Sequence, residues 1–166
     1  MDTLTQRERS KLMAKIRSRG NKDTELALAK FFRRNKITGW RRQVEIRGRA
    51  ALPRRRDEAT EHRRPTSFRV RPDFIFPKLR LAVFVDGCFW HGCPQHATQP
   101  KNNRAFWRRK FSRNKKRDAF VNRALRRNGW RVIRIWECAL KKNPLNCLRR
   151  IERVRETPKT RKDLPG

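Results

Sequence analysis

The apolar run Leu81 to Val85 is the segment that most limits how this chain can fold. It lies between Pro77-Lys78 and Asp86-Gly87 and is apolar on both sides of a two-residue period, the pattern of a central strand covered on both faces. Phe74 to Phe76, just before it, reads as its hairpin-like neighbour. The run matters because so much of the chain is charged: lysine and arginine total 47 of the 166 residues, against 15 acidic residues. A core must therefore form from a few short apolar segments. The length suits a single domain over residues 1–156, with a polar tail at 157–166.

Other segments fall into place around that strand. Residues 7–18 set Leu12, Met13 and Ile16 at near-helical spacing, and Asp23 or Thr24 is placed to cap a second helix through Leu26, Ala29 and Phe32 to about Arg34. Trp40, Val44 and Ile46 share one side of a two-residue period, which predicts a strand. Residues 47–67 show no period and carry Arg54, Arg55, Arg56, Arg63 and Arg64 between prolines. They read as a basic loop or insertion, either a solvated segment or an arm that tracks DNA. A long helix is expected from about Asn103 to Asn128, stopped by Gly129. Trp130 to Trp136 alternates as a strand, and Pro144 opens a last helix carrying Leu145, Leu148 and Ile151. The order predicts an α/β fold, a mixed sheet with helices packed against it.

The formal charge of +32 implies a polyanionic partner, because self-repulsion on this scale destabilises the compact state until counter-charge relieves it. Nucleic acid fits, and its binding should weaken as salt rises, since each neutralised phosphate releases condensed counterions. Charge alone selects no reaction: ribosomal and chromatin proteins share this profile. No apolar run is long enough to span a bilayer and the N-terminus lacks the apolar core of a signal peptide, so the expected compartment is the cytoplasm, in association with the nucleoid. There the four cysteines are better read as metal ligands or buried thiols than as disulfides.

Cys88, Cys93 and His96 lie within nine residues, and Cys138 follows a strand able to return it beside them. Three thiolates and one imidazole make a closed tetrahedral zinc site, structural because no position stays open for a reacting water. The alternative is buried thiols and a surface histidine. Cys147, beside Leu148, reads as a core thiol.

Asp73 precedes one apolar strand and Asp86 directly follows the next, so pairing of the two would bring both carboxylates to one sheet edge. Hard oxygen ligands of this kind hold magnesium, which orients a phosphodiester and activates water. His91 is a candidate general base or acid, and Glu25 a group that orients the water or the histidine. Each has a plainer reading: Pro72-Asp73 and Asp86-Gly87 are common turn pairs, Glu25 complements a helix N-terminus, and His91 could belong to the zinc shell. Phe89, Trp90 and Trp107, set in basic or metal-site sequence, suit either core packing or wedging between bases. Asn114 lies on the same helical stripe as Trp107, as a capped core amide or a group reaching the DNA groove, and Lys110 is placed to meet a phosphate.

Arg71-Pro72-Asp73-Phe74, the block Val83-Phe84-Val85-Asp86-Gly87-Cys88-Phe89-Trp90-His91-Gly92-Cys93-Pro94, Phe106-Trp107 with Lys110, Asn114 and Arg117-Asp118, and Trp136-Glu137-Cys138 together resemble the very short patch repair endonucleases. The resemblance implies a restriction-endonuclease-like fold of the PD-(D/E)xK type. It also implies nicking of the thymine strand at T:G mismatches in double-stranded DNA, left by deamination of 5-methylcytosine. It makes Asp73, with the backbone carbonyl of Val85, the magnesium ligands, His91 the catalytic histidine and Glu25 its positioning partner. Cys88, Cys93, His96 and Cys138 become the zinc ligands, Phe89, Trp90 and Trp107 the wedge, and Met13 a group approaching from the opposite groove. The chain departs from the pattern in its long basic 47–67 stretch and at Asp86, where some members carry histidine. The expected enzyme is a monomer off the membrane, with mismatch-repair proteins as candidate partners. A restriction-like nickase indifferent to mismatches and a non-catalytic zinc-stabilised binding protein are the competing readings.

Overall fold

The computed structural model describes residues 22–50, 66–96 and 103–157, together with Arg7 and Pro100. The expected helix over 7–18, Met13 within it, the residues 51–65 and the tail from 158 onward lie outside the described residues. The chain divides into two compact units: one takes residues up to 38, 85–115 and 135–147, and the other takes 39–84, 116–134 and the chain from 148.

The second unit holds most of the sheet. Strands β1 (Arg41–Arg42), β4 (Phe74–Phe76), β5 (Leu81–Asp86) and β6 (Arg131–Trp136) lie in the order β1-β4-β5-β6, a mixed sheet. β4 and β5 pair antiparallel with Phe74 opposite Val83 and Phe76 opposite Leu81. The connection is tight: a 3-10 turn over Pro77–Leu79 ends at Arg80 in the left-handed region, φ 45°. All three residues of β4 and the first three of β5 are buried, as continuous apolar runs require of central strands. β2 (Ile46–Ala50) and β3 (Thr66–Val70) form a separate antiparallel ribbon. Its inner face sends Ile46 and Phe68 into a cluster with Ile75, Ala82, Ala124 and Leu125.

Two segments differ from expectation. The strand expected through Trp40, Val44 and Ile46 is interrupted: Gln43 sits at φ 55°, a left-handed conformation that no strand continues through, and the chain restarts pairing at Ile46 with a different partner. The loop expected over 47–67 is strand at both ends, because Ile46, Gly48, Phe68 and Val70 provide one inward face on a two-residue period that the intervening arginines obscure.

In the first unit, helix α1 (Ala27–Arg34) buries Leu28, Ala29 and Phe32. It continues from a π-helical turn over Lys22–Leu26 and has no side-chain cap, in place of the expected Asp23 or Thr24 cap. Short helices α2 (Cys88–His91) and α4 (Glu137–Lys142), unforeseen in the sequence, come before and after the long helix α3 (Arg104–Arg127), which runs from this unit into the other. Gly129 at φ 73° stops α3 as expected, and α5 (Pro144–Glu156) starts on its proline. No helix among the described residues is long and apolar enough to cross a membrane.

Candidate active site and metal centre

α2 is a single turn of four residues. Cys88 opens it and Gly92 closes it at φ 65°, a left-handed C-cap that glycine adopts without strain. The reversal lets the Cys93 N–H donate to the Cys88 carbonyl at 2.9 Å. Both sulfurs thereby face one point. Cys138, in the first turn of α4, and His96 complete the group, and the four ligand atoms all lie within 4.8 Å of one another. Cys93 Sγ stands 3.7 Å from both His96 Nδ1 and Cys138 Sγ. Sulfur ligands about 2.3 Å from a tetrahedral zinc ion stand about 3.8 Å apart, so the donor set fits that ion in both chemistry and spacing.

The thiols differ sharply in acidity. Burial, reinforced by the neighbouring Cys138 and Cys93 sulfurs, pushes Cys88 up to about 12. Burial acts on Cys93 in the same sense, but His96, the backbone N–H groups of Gln95 and His96, and the Cys138 thiol outweigh it and bring Cys93 down to about 6. Of these two the cluster thus favours the thiolate at Cys93 over that at Cys88, and a divalent cation is what would allow both. Cys147 stays apart from it, buried in the core as expected.

His91 ends α2 and turns to Asp86 instead of the sulfur cluster: Asp86 Oδ1 lies 3.7 Å from His91 Nδ1, with side-chain exposures of 6% and 18%. A buried carboxylate beside Nδ1 is placed to orient the ring. Glu25 is buried in the Lys22–Leu26 turn, against which α4 packs.

Between Cys88 and His91, Phe89 and Trp90 enter a cluster of rings. Phe89 meets Trp90, Trp107 and Phe111 edge-on at 5.2, 5.1 and 5.4 Å. Trp107 is buried, while Phe89 and Trp90 are partly exposed. Asn114, also buried, donates from Nδ2 to the Trp90 carbonyl at 2.8 Å, which ties α2 to α3. Phe111, one turn after Trp107 on α3, belongs to this cluster as well. Lys110 is half-exposed one turn before Asn114.

Asp73 belongs to the other unit. The β4–β5 register sets it one residue beyond the Phe74–Val83 pair, and its carbonyl accepts from the Gln43 N–H at 3.3 Å.

The family described as DNA mismatch endonuclease Vsr matches residues 61–97. That span carries Asp73, Asp86, His91 and three of the four residues of the Cys/His cluster. Type II nicking enzyme V.NmeDIP of Neisseria meningitidis serogroup C is 36% identical over 166 residues, which cover 99% of this chain and 95% of that one. The chain belongs to the Vsr endonuclease family. Type II nicking enzyme V.NaeI of Lentzea aerocolonigenes is 51% identical over 69 residues, 42% of each chain. DNA mismatch endonuclease Vsr of Escherichia coli strain K12 is 39% identical over 72 residues, 43% of this chain and 46% of that one. As a member of the Vsr family the protein is a DNA endonuclease, and the family's restriction-endonuclease-like architecture accords with the mixed sheet and helices described above.

Proposed function

We propose that this Vsr family member is a magnesium-dependent nickase that cuts the thymine strand of duplex DNA at T:G mismatches. The observation that carries this reading is the makeup of α2, where metal ligand, wedge aromatics and reactive histidine are consecutive: Cys88 in the sulfur cluster, Phe89 and Trp90 among the rings, His91 beside Asp86. A zinc ion held by Cys88, Cys93, His96 and Cys138 would fix that turn, and with it both the wedge and the histidine.

In this reading Asp73, with the backbone carbonyl of Val85, would hold magnesium, and the ion would supply Lewis-acid stabilisation of the phosphate. The position of Asp73 at the end of a buried strand, level with Phe84 in the β4–β5 register, supports the assignment. His91 moves the proton of the attacking water or of the leaving oxygen, Asp86 holds its ring, and Glu25 positions the water or the histidine. Phe89, Trp90 and Trp107 act on the base stack. A T:G wobble stacks poorly, so opening that step costs less than opening a matched one, and inserted rings turn the difference into selectivity. Met13 approaches from the opposite groove, while Lys110 meets a phosphate and Asn114 supports Trp90 or reaches a base. The enzyme works as a monomer in the nucleoid, with mismatch-repair proteins as candidate partners.

Relatives named as type II nicking enzymes favour a second reading, nicking set by sequence context without regard to the mismatch. Paired labelled duplexes that differ only in a T:G or a C:G pair, incubated with magnesium, separate the two. A nick beside the mismatched thymine alone supports the repair enzyme. Equal nicking of both duplexes supports the second reading, and binding without any nick overturns both.

A further inference from the structure

The β2–β3 ribbon presents a feature that the catalytic reading leaves unused. Its register sets Arg47 directly opposite Arg69 and Arg49 opposite Ser67, while Ile46, Gly48, Phe68 and Val70 alternate with them toward the core. Arg47, Arg49, Ser67 and Arg69 are all exposed. Like charges opposite one another across two strands, with Cβ atoms about 5 Å apart, destabilise a sheet. Among the described residues, Glu45 is the carboxylate that bonds arginines here: it accepts from Arg47 Nε at 2.5 Å and from Arg71 Nη2 at 3.3 Å. Among the described residues, the two paired strands therefore carry a surplus of positive charge.

The ribbon is also held in place. A Cβ on Gly48 would come within 2.5 Å of the buried Phe68 ring and 2.6 Å of Asn128 Oδ1. Asn128, just past the end of α3, donates from Nδ2 to the Arg49 carbonyl at 3.1 Å and to the Ala124 carbonyl at 2.8 Å. The arginine side chains thus project from a fixed backbone, which lowers the cost of ordering them on a ligand.

We propose that the outer face of this ribbon is a second DNA-binding surface, in which Arg47, Arg49 and Arg69 grip phosphates of the duplex. The occupant follows from charge complementarity: arginines two apart on a strand lie roughly 7 Å from each other, a spacing that meets neighbouring phosphates along a backbone but reads no base. The inference rests on the assignment of the protein as a DNA endonuclease. The ribbon contributes affinity and register on the duplex, not chemistry.

The test is the salt dependence of duplex binding by the full chain carrying R47T, R49T and R69T together, since threonine keeps strand propensity and removes charge. Every arginine–phosphate pair that disappears lowers the slope of log affinity against log salt by about 0.9, so the slope of the triple variant is expected to be shallower by about 2 to 3. Between 50 and 200 mM salt that difference amounts to about 40-fold. Its thermal midpoint is expected at or above wild type. The matching triple lysine variant restores the slope. An unchanged slope in the threonine variant, or a slope that lysine fails to restore, overturns the proposal. Nicking is scored separately, so an inactive wild type would remove the enzymatic reading while the slope still decides the ribbon.

Discussion

Asp86 and His91 face each other across the start of a single helical turn, Oδ1 to Nδ1 at 3.7 Å, with the carboxylate almost wholly buried. The spacing of five residues is what a strand end, one glycine and one turn of helix produce. Asp86→Asn keeps the shape and removes the charge that holds the ring. Single-turnover nicking is expected to fall about 100-fold, within the range that a positioned acid or base supplies, while DNA affinity stays unchanged. A variant that nicks at the wild-type rate would reduce Asp86 to a turn residue.

Asp73→Ala is expected to abolish nicking at every magnesium concentration and to leave binding intact or tighter, since a negative charge is removed from the proposed metal and phosphate site. Gel-shift and cleavage assays on the same duplex check this, and residual cutting that rises with magnesium would relocate the metal site.

Cys138→Ser removes one sulfur from the four-ligand cluster. One zinc ion per chain, measured by elemental analysis, is expected in wild type and none in the variant. Because structural zinc contributes its binding energy directly to folding, the thermal midpoint should drop by more than about 10 °C. Equal melting and no zinc in either protein would show that the sulfurs are ordinary buried thiols.

Trp90→Ala separates wedge from core. Loss of a stacking ring should narrow the preference for T:G over C:G duplex about tenfold or more, with a smaller loss of general affinity. Asn114→Ala, which frees the Trp90 carbonyl, is expected to lower stability by about 1 to 3 kcal/mol and to narrow the same preference through its effect on Trp90. Equal losses on matched and mismatched DNA would assign both residues to packing.

Much of this arrangement is legible in the amino-acid sequence. Leu81 to Val85, the stop at Gly129 and the start at Pro144 declare themselves through local chemistry: apolar runs, a left-handed glycine, a proline that needs no N–H donor. The Cys/His set is legible because few roles call for three cysteines and a histidine together. The ribbon is hidden, since its inward period of Ile46, Gly48, Phe68 and Val70 is interleaved with arginines and its pairing spans a long stretch of sequence. α2 and α4 are hidden for another reason. Turns of four and six residues are too short to form by propensity, and only neighbouring structure holds them.

The seating of the ribbon bears on how the gene can change. With Gly48 wedged between Phe68 and Asn128, inserting or deleting one codon inside either strand would swap its faces, driving arginines into the core and phenylalanine out to water. Relatives that differ in length here should therefore gain or lose residues between positions 50 and 66 and keep the strands themselves unaltered.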